Sequence, residues 1–217
     1  MDNIDLQENT KTSKQYLIRK IIILLIICLL AVIMNNLLQQ IFINFLRFPL
    51  FMDTVFTAAV TFAFGLIPGI ITAILSWLIP SIYHGTFNFF VLCSIAEVLI
   101  ISALKPKTPD IPVFTPKEKI IAFYTVVAAR LMLLYIICAL AISVLGGLIN
   151  FLPQIAYGTH TDYFGVDDLF KLGLIMNNLP TLAVNILSRI PINIVDRFIV
   201  IFGGYLISRA LVKLVKR

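Results

Sequence analysis

The side chains of this sequence that could do chemistry are few, and most stand in apolar surroundings. Glu97 lies within Phe87–Leu104 and Arg130 within Ile120–Leu148, two otherwise apolar runs. A charged side chain in hydrocarbon costs at least about 2.5–3.5 kcal/mol on insertion scales, so such positions are informative. Each lies about ten residues into its run, one counted from outside and one from inside, which puts both near the middle of a membrane. At matched depth they predict one buried ion pair. That pair has two readings: it pins two helices together, or it lends hydrogen bonds to a polar solute from the wall of a wet cavity.

A second concentration runs from Asn185 to Arg197. Asn185, Arg189, Asn193 and Asp196 step by four, four and three, which places them on one helical face. Asn193 and Asp196 are candidate solute ligands; the competing use is hydrogen bonding between helices. Arg197 is read as off that stripe, free to snorkel or to pair with an acid on a neighbour. Pro191 suits the first turn of a last helix, where its missing N–H costs little, although a kink in a longer helix from Thr181 is the other option. A third feature is Arg47-Phe-Pro-Leu-Phe51-Met-Asp53-Thr54. Asp53 there suits a helix N-terminus, Arg47 pairs with it or meets a ligand, and Phe48 and Phe51 are placed to cover a site.

Other chemistries lack their signatures. The sequence has no G-x-x-x-x-G-K-[ST], H-E-x-x-H, G-x-S-x-G or C-x-x-C. No enzyme activity, metal or cofactor is expected, and any ATP hydrolysis must come from another chain. The two histidines, His84 and His160, are assigned to loops, and a metal site built on them is not favoured. Cys28, Cys93 and Cys138 all lie in apolar runs. An odd count there reads as small buried hydrophobes rather than disulfides.

The elements that must position these groups are membrane helices. Of 217 residues 60% are hydrophobic and only 13% charged, with a mean hydropathy of +1.00. A soluble domain cannot hide that much apolar surface. The net charge of +6 is read as a report on orientation, not on nucleic acid. The expected architecture is an all-α bundle of six spans in one domain. A polar cytoplasmic tail (1–20) leads into spans over Ile21–Phe45, Phe51–Ile67, Gly69–Tyr83, Phe87–Leu104 and Ile120–Leu148. An outer segment (149–188) follows, with a short helix over Leu169–Met176 that Asp167 or Asp168 caps. The last span runs over 189–212. The first apolar run lacks a small-residue cleavage site and is read as an uncleaved span.

Basic residues choose between six spans and five. Lys11, Lys14, Arg19 and Lys20, then Lys105, Lys107, Lys117 and Lys119, then Arg209, Lys213, Lys216 and Arg217 form three clusters. All three face the cytoplasm only if Ile67-Pro68-Gly69 is a turn between two short spans, with both chain ends inside. Ala59 and Ala63, and then Gly65, Gly69 and Ala73, recur at four-residue steps within that pair, in two sets that the turn interrupts. Such spacing suits close helix packing, or docking of a partner chain.

Phe51-Met-Asp53-Thr54, Ala58-Ala59, Gly65, Pro68-Gly69 and Ala73 together resemble the second and third helices of the substrate-binding S components of energy-coupling factor (ECF) transporters. Ile190-Pro191-Ile-Asn193-Ile-Val-Asp196-Arg197 is similar to the P-x-N segment of their vitamin-binding members. The resemblance implies a multi-pass protein of the prokaryotic cell membrane that captures a small water-soluble vitamin or related micronutrient from outside. It implies a site in the outer half, with Arg47, Phe51, Glu97, Arg130, Asn193 and Asp196 at the matching positions. It implies partnership with a membrane coupling protein and two ABC-type ATPases, and none with nucleic acid. Two departures stand out: Ala31 is followed by Asn35 where the family often carries A-x-x-x-A, and Asp2 replaces the histidine of the nickel and cobalt subgroup. A non-transporting scaffold similar to the rod-shape determining protein MreD, or a sensor-type membrane module, is the alternative.

Overall fold

The computed structural model describes residues 2–46, 50–85, 87–106, 117–157 and 166–215. Among them every regular element is helical: α1 (Asp2–Gln40), continued by a π-helical turn (Ile41–Phe45), α2 (Val55–Phe64), α3 (Leu66–His84), α4 (Val91–Leu104), α5 (Lys117–Tyr157), α6 (Val166–Met176), α7 (Thr181–Leu187) and α8 (Ile190–Val215). Four stretches are long and apolar enough to cross a membrane: Ile18–Phe45, Leu66–Tyr83, Lys119–Leu152 and Thr181–Val215. The outward faces of α1 and α5 carry exposed leucine, isoleucine and valine along much of their length, as lipid-facing helices must.

Side-chain contacts give the helix directions. Cys28 of α1 reaches the carbonyl of Pro68, at the start of α3. Two turns further on, Asn35 donates to Thr57 near the start of α2 (2.8 Å) and to Ser76 within α3 (3.2 Å). Helices α1 and α3 therefore run the same way, and α2 runs against both. Trp77 donates to Ser94 (2.7 Å) while Val98 packs at Gly69, so α4 opposes α3. Asn193 donates to Ser143 and Arg189 packs at Gly146, so α5 opposes α8. The start of α1, the end of α4, the start of α5 and the end of α8 thus share one end of the bundle, here called the base. The residues before α2 and α4, together with α6 and α7, lie at the top.

The reversal between α2 and α3 falls at Gly65, two residues before the expected Ile67-Pro68-Gly69 turn. Gly65 has φ +96°, a backbone that favours glycine. Pro68 then sits in the first turn of α3, where the fixed φ of proline is helical and its N–H is not needed. Helix α2 is only ten residues long, and the Lys105 ammonium meets the Thr61 carbonyl at its C-terminal end (3.3 Å). The small-residue stripe is used inside the bundle: Ala59 and Ala73 are fully buried, and Gly69 faces Thr61 and Val98. Helix α8 also approaches α2 closely. A Cβ on Gly204 would stand 2.9 Å from that of Ala58 and 3.1 Å from the Val55 carbonyl oxygen.

The last third of the chain follows the sequence closely. Helix α6 covers the short helix expected over Leu169–Met176, with Asp167 and Asp168 in its first turn. A break at Ser188 separates α7 from α8. Pro191 is the second residue of α8 rather than a kink. Two boundaries moved outward: α1 is helical from Asp2 through the polar stretch assigned to a tail, and α5 runs to Tyr157, past Leu148.

Candidate functional site

The chemistry of the molecule gathers in its top half, around the Arg197 guanidinium. One amino group of that guanidinium donates to Glu97 Oε2 (2.5 Å) and to Thr54 Oγ1 (2.9 Å). The other donates to Asp196 Oδ2 and stands 3.5 Å from Asp53 Oδ1. Three carboxylates from three parts of the chain thus surround one cation. Glu97, Asp196 and Arg197 are 1%, 0% and 4% exposed, so bulk water does not screen them. A buried charge of this kind needs its partners in place.

Local structure explains how the groups converge. On α8 the buried residues are Asn193, Asp196, Arg197, Val200, Ile201, Gly204 and Ser208, an inward stripe at three- and four-residue steps. Arg197 lies on it, four residues after Asn193. The expectation that it falls off the polar stripe followed from counting through Asp196, when Arg189, Asn193 and Arg197 step by fours. Asp53 and Thr54 are aimed inward by Met52. Its φ of +44° is a left-handed backbone uncommon for a side chain of that size. The Met52 N–H donates to Asp196 Oδ1 (3.0 Å), and this charge-assisted bond offsets the local cost.

Beside the cluster is a partly open hollow of about 190 Å³. Its wall takes Gln39 from α1, Phe51, Asp53 and Thr54 from the connection before α2, and Trp77 from α3. Asn88, Phe90, Cys93 and Ser94 contribute from the start of α4, Ile142 from α5, and Arg189, Asn193 and Arg197 from the α8 region. Aromatic rings with a few placed polar groups are the usual composition of a small-molecule site. The Arg189 guanidinium stacks over Phe90, 4.7 Å from the ring centre. Asn193 donates to Ser143 Oγ (2.9 Å), which fixes its amide at the wall. Asp53 Oδ1, although shielded from solvent, accepts no hydrogen bond. A second recess of about 240 Å³ adjoins the hollow. It shares Gln39, Trp77 and Asn88 with it and adds Asn36, Gln40, Asn44 and Ser81. It has the neutral, amide-rich lining of a vestibule.

The six residues singled out from the sequence fare differently. Phe51 and Asn193 line the hollow. Glu97 and Asp196 stand behind it, holding Arg197. Arg130 is exposed on the outside of α5, away from Glu97, so the expected Glu97–Arg130 pair is replaced by Glu97–Arg197. Depth along a helix can be counted from sequence, but the face an isolated arginine turns to cannot. Arg47 and Phe48 lie outside the described residues, as does His160. Sequence reasoning missed Trp77, Phe90 and Cys93 as wall residues and took Asp53 for a helix-terminal charge. The neighbouring Arg47, rather than the distant Arg197, had seemed its natural partner.

No protein-family model, no curated protein and no solved structure matches this chain significantly.

Proposed function

We propose that this chain is the substrate-capture S component of an ECF-type ABC importer. In this reading it is a six-span protein of a prokaryotic cell membrane, with both ends in the cytoplasm. It takes a small water-soluble vitamin or related micronutrient from the outer side. The observation that carries the reading is the hollow: about 190 Å³, at the end of the bundle away from the chain termini, with aromatic walls and fixed polar groups. Two further observations support it. Arg19, Lys20, Lys105, Lys119, Arg209 and Lys213 belong to the base half, the distribution that the positive-inside rule expects of a cytoplasmic end. The antiparallel turn at Gly65 lets the short α2 and α4 count as spans beside the four long ones.

Mechanistically, the solute enters through the amide-lined vestibule and settles between Trp77, Phe90 and Phe51. Its polar groups meet Asn193 and the Asp53–Arg197 pair. The buried partners of Arg197 hold that cation at a fixed place, so binding needs little reorganisation. The chain does no chemistry on the solute, and movement across the membrane is driven by the coupling protein and its two ABC-type ATPases. The test is gentle purification from a native membrane. An importer subunit brings down an ATPase pair and retains a small molecule identifiable by mass spectrometry. Recovery of cell-wall synthesis proteins with no ATPase and no retained molecule overturns the reading in favour of a scaffold.

A further inference from the structure

Among the described residues, three charged side chains reach the wall of the hollow, and they do not cancel. Arg189 and Arg197 are two cations against the one carboxylate of Asp53, a sum of one positive charge. Glu97 and Asp196 are not on that wall; they take the Arg197 amino groups from behind. At Cys93, itself a wall residue, Arg189 acts most strongly among the surrounding charges and Arg197 next, ahead of Asp53 and Glu97. The amino groups of Arg197 are engaged, but its buried Nε–H has no acceptor. A buried donor in that condition is costly, and an incoming acceptor relieves it. Arg189 is held differently, by the stack of its guanidinium on Phe90. A guanidinium stacked on a ring presents its donors at the edge, in the planar fork that matches a carboxylate.

We propose that the solute of this hollow is a small organic acid of single-ring size, its carboxylate held by the Arg189 guanidinium and the Arg197 Nε–H and its apolar body set between Trp77, Phe90 and Phe51. The inference rests on the reading of the hollow as a solute site and adds the class of solute. Volume sets the size: an apolar cavity of about 150 Å³ takes up benzene, so about 190 Å³ has room for one ring and a carboxylate. Asp53 stays 3.5 Å from the Arg197 amino group that also meets Asp196, so Arg189 supplies most of the attraction. The way in agrees with the same class. The adjoining vestibule is lined by Asn36, Gln39, Gln40, Asn44 and other uncharged residues, and holds no carboxylate that would turn an acid away.

Cys93 supplies the test without knowledge of the natural solute, because a molecule in the hollow covers it. The purified full chain is treated with neutral methyl methanethiosulfonate, and modification of Cys93 is followed by peptide mass mapping. The thiolate attacks the reagent's sulfenyl sulfur, a disulfide forms and methanesulfinate leaves. Benzoate, benzamide and benzylammonium are added in turn as probes that share one ring and differ in charge, and each rate is divided by the rate of the same chain without a probe. A charge-assisted pair at a partly buried site favours the ion over its neutral counterpart by about tenfold. Benzoate is therefore expected to halve the Cys93 rate at a concentration about tenfold below that of benzamide, with benzylammonium the weakest. Arg189→Gln is expected to bring benzoate level with benzamide, and Arg189→Lys to restore part of the difference. A purely structural role of Arg189 would move all three probes together. If these variants do not fold, the ranking of the probes on the unaltered chain decides alone. Equal protection by the three, strongest protection by benzylammonium, or no protection by any of them while Cys93 reacts, overturns the acid assignment and leaves the hollow standing. A Cys93 that does not react even without a probe shows a closed interior, and overturns the solute-site reading together with this inference.

Discussion

Replacing Arg197 by methionine tests the cluster at its hub. Methionine keeps most of the buried stem, so the change removes charge rather than volume. It leaves Glu97 and Asp196 stranded with no counter-cation in contact, and Asp53 without its nearest one. Breaking a buried ion pair from one side costs about 3–5 kcal/mol, because the remaining charge stays desolvated. A chain of this length loses roughly 2–4 °C of melting temperature per kcal/mol, so Arg197→Met is expected to melt about 6–20 °C lower at pH 7. The assay is thermal unfolding in detergent, followed by the fluorescence of Trp77, the only tryptophan in the chain. A double-mutant cycle makes the reasoning specific. Glu97→Gln removes one stranded charge, so the double variant is expected to fall short of the summed losses by about 1–3 kcal/mol. Arg197→Lys keeps the charge but not the planar fork that reaches Glu97, Asp196 and Thr54 together, and is expected to fall in between. A melting temperature within about 2 °C of the parent for Arg197→Met, or strict additivity in the cycle, refutes the account of one interdependent cluster.

Two further predictions concern packing and the wall of the hollow. Gly204→Leu forces α8 away from Ala58 and the Val55 carbonyl and is expected to cost about 1–3 kcal/mol or more. The control Gly173→Ala, where nothing lies within 4 Å, is expected to be neutral or to stabilise by up to about 1 kcal/mol, since alanine favours a helix; thermal melts of the two compare them directly. Asn193→Ala removes the amide that donates to Ser143 and faces the hollow. It is expected to weaken binding of the retained solute by about 1–3 kcal/mol in calorimetry, and unchanged affinity removes Asn193 from the site.

How much of this was legible in the sequence depends on the kind of information each feature carries. The helices were legible because hydropathy is a local sum, and Pro191 could be placed because the first turn of a helix is where proline fits. The inward turn of Asn193 and Asp196 was legible because helical periodicity is fixed. Partner choice was not. Glu97 is 100 residues from Arg197, and nothing local distinguishes that arginine from Arg130. The role of Asp53 depends on the left-handed backbone of Met52, a conformation that its side chain gives no reason to expect. The wall residues Trp77, Phe90 and Cys93 become neighbours only when α3 and α4 pack together, and aromatic residues in apolar runs have many equivalent uses. The reversal at Gly65 instead of Pro68-Gly69 shows two turn signals competing within five residues. Gly65 holds the positive φ, which proline cannot adopt, and Pro68 starts the next helix.

The account stands on a solute-sized space, reachable from water, beside a fixed buried charge cluster. The three cysteines sample this directly, because Cys93 lines the hollow while Cys28 and Cys138 are buried in the packed helix interior. The decisive measurement is the site of modification when the folded, unaltered chain is exposed briefly to methyl methanethiosulfonate and mapped by peptide mass. The account predicts modification at Cys93, with Cys28 and Cys138 protected until the chain unfolds. Protection of all three, or equal modification of all three in the folded chain, contradicts it.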